Sequence, residues 1–403
     1  MTSQALTQAW AGYHATIEEM RRLTEATTRF QQCAEQRAKA YHTLMEVQAM
    51  AYNFVIAPRM EHPRIYRNCG WQTDIYTLGQ TSPDIVYGVL SVDGRQTYRL
   101  SGRMGDITLV LLQVFNGMLG EPGFRTVGNY DWGDFSIGPD GRFEVMLSPD
   151  PQPGNWIKLD ASVECQFVMI RRVLVDWHGD AGEWHIERVS PLPDDFYAPD
   201  EFDEARMAAR IVRATHFMRH VVEAFNIGLY DMYFNAAGKR KNVTTLMPGT
   251  ETSEATSPSS RDVFAVFELA DDEALLIEMN GIPDGRYWSF QLGDVWSRSI
   301  DFSHRQSSLN QREIAVDDDG KVRIVIATRD PGIANWLDTG QRHEGTLVFR
   351  NFRARTSITP TVRKIRFAEI ESQLPPETKR VSSAERRRAL ESRRLAQLKI
   401  HGE

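Results

Sequence analysis

Ser303-His304-Arg305-Gln306 sets an imidazole beside a guanidinium. Imidazole exchanges protons near neutral pH while guanidinium keeps its charge, so the pair suits general acid/base work next to a group that holds an anion. A solvated loop pair is the plain alternative. Tyr230 and Tyr233, three apart in GLYDMYFN (Gly228 to Asn235), bring hydroxyls that a neighbouring base could turn into proton movers. With Tyr287, Trp288 and Trp296 they could line an aromatic pocket between a helix and a sheet. The alternative is that all are half-buried core residues. Trp336 is a further candidate wall, although packing explains it equally well.

His216 and His220 stand four apart with Glu223 one turn further, so the three could share a helical face and ligate a metal. Arg213 and Arg219 crowd that face with positive charge, and the spacing lacks the glutamate of HExxH, so no metal is expected. Several signatures are missing from the chain. There is no GxSxG elbow, no glycine-rich phosphate loop and no GxGxxG opening a helix, which excludes the usual hydrolase, nucleotide and dinucleotide chemistries. Cys33, Cys69 and Cys165 are odd in number and scattered, which fits a reducing compartment better than a disulfide framework. Any chemistry would rest on acid/base and electrostatic groups, with no cofactor.

The elements that must position these residues come in two copies. DGRFEVMLSPDPQPGNWIKLDASVECQFVMIRR (140–172) and DGKVRIVIATRDPGIANWLDTGQRHEGTLVFR (319–350) share an order: an Asp-Gly turn, an alternating apolar run, Asp-Pro, Asn-Trp and a run ending in arginine. An offset of about 180 residues is far longer than a solenoid repeat and indicates duplicated domains. Residues common to both copies are explained by the fold. Gly141 and Gly320 suit turns needing positive φ, Pro151 and Pro331 fix a bend, and Trp156 and Trp336 read as core plugs. Residues that break the duplication, His304 among them, are the better functional candidates.

A chain of 403 residues accommodates two or three domains with sizeable cores, and 41% hydrophobic with 25% charged residues is globular composition. A net charge of -7 argues against a general nucleic-acid binder. No apolar run approaches the length of a membrane span and no secretory leader pattern opens the chain, so a cytoplasmic protein is expected. Residues 1–60 read as helical, 61–190 as a first β-sandwich, and 191–250 as an acidic linker (Ser190 to Glu204) leading into a second helical segment with the stripe Ile211, Phe217, Val221 and Phe225. Residues 251–375 read as a second sandwich after a polar loop, Gly249 to Ser260. Residues 376–403 form a basic helix that Ser383 can cap; it could dock on an acidic partner or a membrane surface, but the plainer reading is a helix solvated or packed on a sister subunit. The class is α+β: two tandem jelly-roll-like antiparallel sandwiches, each preceded by a helical segment.

The series RYWSFQLGDVW, SSLN, DDDGKVRIVIA, RDPGIANWLDT and GTLVFR resembles the C-terminal module of bacterial proteins grouped as domain of unknown function 1214. The resemblance implies a jelly-roll-like sandwich and carries no settled activity. Asp338 stands where that pattern has proline after Asn-Trp-Leu.

Two functional classes follow. The first is a cofactor-independent acid/base enzyme, a lyase acting on a hydroxylated aromatic or hydrophobic small molecule. His304 and Tyr233 would move protons, Arg305 would hold negative charge, and Tyr230, Tyr287, Trp288, Trp296 and Trp336 would contact the substrate. The second is a sandwich that binds a sugar or lipid-like ligand without turning it over. Self-association through the helical segments is also expected.

Overall fold

A computed structural model describes residues 4–67, 79–192, 203–247 and 260–401. Cys69, the core of the acidic linker (193–202) and residues 249–259 of the polar loop lie outside them. Gly141 and Gly320 have φ of 78° and 77°, the left-handed region that a tight Asp-Gly tip requires and glycine adopts without strain. Their turns close alike: Gly141 N–H donates to Gly138 O and Gly320 N–H to Asp317 O, both at 2.9 Å.

In chain order the helices are α1 (Gln4–Glu25), α2 (Thr28–Gln32), α3 (Ala34–Ala51), α4 (Glu204–His220), α5 (Gly228–Ala236), α6 (Ile370–Gln373) and α7 (Ser383–His401). The first set of strands is β1 (Tyr66–Arg67), β2 (Ile85–Val92), β3 (Tyr98–Arg103), β4 (Leu109–Phe115), β5 (Thr126–Asp131), β6 (Arg142–Ser148), β7 (Trp156–Lys158), β8 (Gln166–Val173) and β9 (Glu183–Arg188). The second set is β10 (Thr245–Leu246), β11 (Val263–Glu268), β12 (Glu273–Met279), β13 (Tyr287–Gly293), β14 (Ser308–Asn310), β15 (Val322–Ala327), β16 (Trp336–Asp338), β17 (Glu344–Phe352) and β18 (Thr361–Arg366).

The sheets run β1-β2-β8-β4-β5 with β7-β6-β3-β9, and β10-β11-β17-β13-β14 with β16-β15-β12-β18. Adding nine to each strand number turns the first pair of sheets into the second, so the duplication inferred from the Asp-Gly and Asn-Trp landmarks extends to strand order. Each copy also keeps one parallel pair, β6 with β7 and β15 with β16, in otherwise antiparallel sheets. The Asn-Trp landmark builds that pair. Asn155 donates to Ser136 O and Glu144 O and accepts from Ser136 N, and Asn335 donates to Ala315 O and Arg323 O and accepts from Ala315 N. The indoles of Trp156 and Trp336 donate to Ser148 O and Ala327 O, each at 3.2 Å. Both tryptophans are therefore framework, and Trp336 walls no open site.

The chain divides into two compact units, residues 1–68, 87–172 and 181–227, and residues 69–86, 173–180 and 228–403. In the first, one core joins both sheets through Leu90, Leu100, Val110, Leu112, Val145 and Val168. Its helices pack separately, with Ala9 of α1 against Ala208 and Ile211 of α4. Residues 221–227 wind as a π-helix, which shifts the expected stripe: Ile211, Phe217 and Val221 are buried, but Val222 goes inward and Phe225 is only half-buried.

The second unit has the matching core, with Ala265, Ile277, Trp288, Phe290, Ile324 and Phe349 between its sheets. The outer face of β12 and β15 is closed by Ile333, Trp336, Ile370 and Leu374. The basic C-terminal helix forms, and it starts one residue earlier than its expected cap implies. Ser382, not Ser383, caps α7, with Ser382 Oγ accepting from Glu385 N while the Glu385 carboxylate accepts from Ser382 N. Leu390, Leu395 and Leu398, the apolar residues spaced along it, do not define its inward face: Leu395 is exposed, whereas Arg386 and Arg393 are each 6% exposed.

Candidate functional site

A cleft of about 470 Å³ opens in the second unit between α7 and the end of β14. The face that α7 turns toward it carries Glu385, Arg386, Ala389, Ser392, Arg393 and Ala396, and the small side chains in that series leave the room. The opposite wall is Val175 to His178 with Leu309, Asn310, Arg312 and Glu313, and the entrance adds Lys379 and Arg380.

Two buried arginines seven residues apart hold the helix in place. Arg393 pairs with Glu313, donates to Ser308 Oγ at 2.8 Å and lies over the Trp177 ring at 4.4 Å. Arg386 pairs with Asp330 at 3.0 Å, donates to Gln306 Oε1 and Ile333 O, and lies over the Trp336 ring at 5.1 Å. Guanidinium suits both places because its flat fork satisfies several acceptors while its face stacks on an indole. With their donors used on the framework, these arginines fix the cleft wall.

Directly behind the cleft is Asp84, 1% exposed. Its Oδ1 accepts from Trp177 Nε1 at 2.7 Å and Asn310 Nδ2 at 2.6 Å, both cleft residues, and its Oδ2 accepts from the Tyr287 hydroxyl at 2.7 Å. Tyr287 in turn meets Ser82 Oγ at 2.8 Å and Ser289 Oγ at 2.7 Å. Burial pushes the Asp84 carboxyl up to about 6, the Glu313 carboxylate adds to the rise, and the three donors resist it. Burial also raises the Tyr287 hydroxyl well above its ordinary range. A carboxyl that titrates near neutrality beside a cleft is where proton chemistry concentrates in proteins.

The segment that delivers Asp84 is itself constrained. Gln80 and Ser297 lie in the left-handed region at φ 53° and 56°, and Gln80 N–H donates to Ser297 O at 2.8 Å. Non-glycine residues hold such a conformation only where the surroundings enforce it. Here Gln291 Nε2 and Ser299 Oγ both donate to Thr81 O, at 2.6 and 2.7 Å, and Arg350 donates to Gln80 O.

The residues singled out in sequence go to several places. His304 is on an exposed loop, its Nδ1 3.1 Å from Asp301, and Arg305 pairs with Asp338 at 3.1 Å. Tyr233 stacks on Phe264 with ring centroids 4.1 Å apart and burial raises its hydroxyl, while Tyr230 bonds Glu344. These three proton and anion groups thus have separate partners and do not converge. Trp288 fills the sandwich core and Trp296 is 1% exposed, so they close space that a pocket would need. Of the aromatic set, only Tyr287 joins the Asp84 network.

In the first unit, His216 and His220 back onto the loop at Gly120, where an added Cβ would lie 2.4 Å from His216 O and 2.6 Å from His220 Cβ. Burial lowers the His220 imidazole, and Glu223 points to solvent. Among the described residues no cluster of three or more His, Cys, Asp or Glu could hold a metal. Asp84, Ser82, Trp177 and Asn310 were not anticipated. The signal was in YWSFQLG: Ser289 and Gln291 alternate with Trp288, Phe290 and Leu292, and buried polar groups on a strand's second face need partners from elsewhere in the chain.

Residues 269–356 match the family described as "Protein of unknown function (DUF1214)", as the C-terminal resemblance implied. No curated protein matches the chain in a sequence comparison. Among solved structures, an uncharacterized protein from Burkholderia cenocepacia is similar at a TM-score of 0.81 and 24% identity, over 91% of this chain and 99% of that one. That likeness establishes the two-sandwich α+β fold. The VPA0106 protein from Vibrio parahaemolyticus aligns at a TM-score of 0.44 and 11% identity, over 81% of this chain and 97% of its own. Among the described residues, no helix is long and apolar enough to cross a membrane.

Proposed function

We propose that the second unit binds a small organic anion in the cleft beneath α7. The observation that carries this is the sign of the lining. Arg312, Lys379, Arg380, Arg386 and Arg393 outnumber Asp176, Glu313 and Glu385 around the cleft, in a chain whose net charge is -7. Positive charge gathered in a concavity of an acidic protein concentrates anions there. Arg386 and Arg393 are engaged with the framework and Arg312 pairs with Asp176 at 3.0 Å, so the charge is recognised by Lys379 together with Arg380, whose pair with Glu371 at 2.7 Å is solvent-exposed and can be exchanged for a ligand. Leu309, Ala389 and Ala396 supply an apolar wall, which favours an anion with an apolar or aromatic body over a bare inorganic ion.

The test is thermal stabilisation by panels of aromatic carboxylates, aliphatic carboxylates, inorganic phosphate and neutral sugars. A carboxylate at about 100 times its Kd adds about 2.7 kcal/mol and raises the melting midpoint by several degrees. Lys379→Glu with Arg380→Glu abolishes the shift, and added salt weakens it. Stabilisation by neutral sugars that survives the charge reversal overturns the reading.

A second reading, acid/base catalysis on that ligand, is favoured by Asp84. Elimination of the lyase type needs a group that takes and returns a proton, and this carboxyl, raised to about 6, meets the ligand when the Asn310 amide that covers its Oδ1 at 2.6 Å turns aside and leaves that oxygen to take the proton directly. Asp84→Asn then keeps ligand-induced stabilisation and loses turnover, followed by mass spectrometry, by about 100-fold or more. Unchanged turnover removes Asp84 from any mechanism.

A further inference from the structure

The outward face of α3 in the first unit has an unusual composition. From residue 38 to Tyr52, the first residue of the π-helical turn that continues α3, the exposed positions are Ala38, Tyr41, His42, Met45, Ala49 and Tyr52, with no lysine, arginine, aspartate or glutamate. Tyr41, Met45 and Tyr52 are 45%, 66% and 60% exposed. An ordinary solvated helix face carries charge, and an uncharged apolar stripe left in water marks an interaction surface.

We infer that this face docks a second copy of the same chain, antiparallel, about a two-fold axis at Met45. The stripe is self-complementary in size about that residue. Four positions before Met45 is a large ring, Tyr41, and four after it is Ala49; seven before is Ala38 and seven after is Tyr52. An antiparallel two-fold sets each position before Met45 against the partner's equivalent position after it. Tyr41 then meets Ala49 and Tyr52 meets Ala38, a ring over a small residue in both pairs, while His42 falls against the half-buried Gln48 and Met45 lies on Met45 at the axis. The absence of charge lets two identical faces meet without like-charge repulsion. Tyr41 is also held for this role, since its hydroxyl bonds Glu25 and its ring meets Phe30 edge-on at 5.9 Å.

The area suffices for such a pair. A fully buried aromatic contributes about 150–250 Å². The exposed parts of the two tyrosines, Met45 and the alanines give roughly 500 Å² a side, so about 1,000 Å² in total, the lower end for a specific interface. An interface of that size belongs to the small, weakly associating class, and a Kd on the order of micromolar is the value to test.

Sedimentation velocity on the full chain, across roughly 1–100 µM to bracket that affinity, tests the inference. The expected result is a concentration-dependent dimer of the 46.0 kDa chain that Met45→Lys converts to monomer with unchanged circular dichroism. Register is read by oxidation of Met45→Cys in a Cys33→Ser, Cys69→Ser background, which cross-links a residue on a two-fold axis to its own copy. Ala38→Tyr alone abolishes dimerisation by setting ring against ring, and adding Tyr52→Ala restores it. A wild-type monomer across the range, or a dimer that survives Met45→Lys, overturns the proposal.

Discussion

Strands β4 and β13 hold equivalent places in their sheets and differ on one face. Both are wholly buried, and both give apolar residues to the sandwich core: Val110, Leu112 and Val114 in β4, Trp288, Phe290 and Leu292 in β13. On the other face β4 has Leu109, Leu111, Gln113 and Phe115, where β13 has Tyr287, Ser289, Gln291 and Gly293. Phe115 stacks on Phe124 at 5.0 Å, an apolar contact that needs no particular partner. The glutamine is common to both strands, but Gln113 bonds Asn129 and Arg171 on neighbouring strands, whereas Ser289 and Gln291 reach into hydrogen bonds with Tyr287, Thr81 and Ser299. Burying hydroxyls and amides costs free energy unless each finds a partner, so that face tolerates only one arrangement of residues 80–84. What the copies share holds the framework. What they do not share places one carboxyl beside a cleft.

Exchange of the two faces breaks this comparison most severely. Ser289→Leu removes a hydroxyl partner from Tyr287 and forces extra carbons into a filled site, for an expected loss of about 3–5 kcal/mol in denaturant unfolding. Leu111→Ser gives up burial and leaves a hydroxyl in apolar surroundings, for about 2–4 kcal/mol. Equal tolerance of both changes would mean that the polar face is not specified. The shared framework is sharpened by a matched pair of smaller size. Asn335, 5% exposed, and Asn155, half-exposed, make the same three hydrogen bonds, so Asn335→Ala costs about 3 kcal/mol and Asn155→Ala about half that. Solvent replaces the lost bonds only at the more exposed site.

The framework was legible because its determinants are local. An Asp-Gly tip, an Asn-Trp staple and strict alternation act within a few residues, and they recur at fixed spacing. The rule that functional residues break the duplication led to His304, on an exposed loop where Asp301 engages it. The break that builds a buried network is on β13. It was hidden because Asp84, Trp177, Tyr287 and Asn310 come from four distant stretches, and nothing near Ser82-Pro83-Asp84 announces a carboxylate that will lose its water. The arginines of α7 misled for a related reason: in sequence they resemble a solvated basic face, and only Glu313, Asp330 and two tryptophan faces turn Arg386 and Arg393 inward.

The finest test isolates the Asp84 carboxyl. Its ordinary value is 3.8 and the folded protein raises it to about 6. Between those values the folded state binds the proton more tightly than the unfolded state, so the contribution of this group to stability is full below about pH 4 and lost as pH rises through 6. The shift corresponds to roughly 3 kcal/mol over that window, partly offset by other carboxylates whose pairing has the opposite slope. Asp84→Asn keeps an oxygen for Trp177 and Asn310 while removing the titration. Subtracting its unfolding free energy from that of the wild type at each pH cancels the other carboxylates. The difference then moves by about 2–3 kcal/mol against the wild type between pH 4 and 7 and is flat above. Glu313→Gln shrinks the same difference, because the Glu313 charge adds to the rise at Asp84. A flat difference throughout would show that Asp84 keeps an ordinary carboxylate value in the folded protein, and the contrast between β4 and β13 would then be one of packing alone.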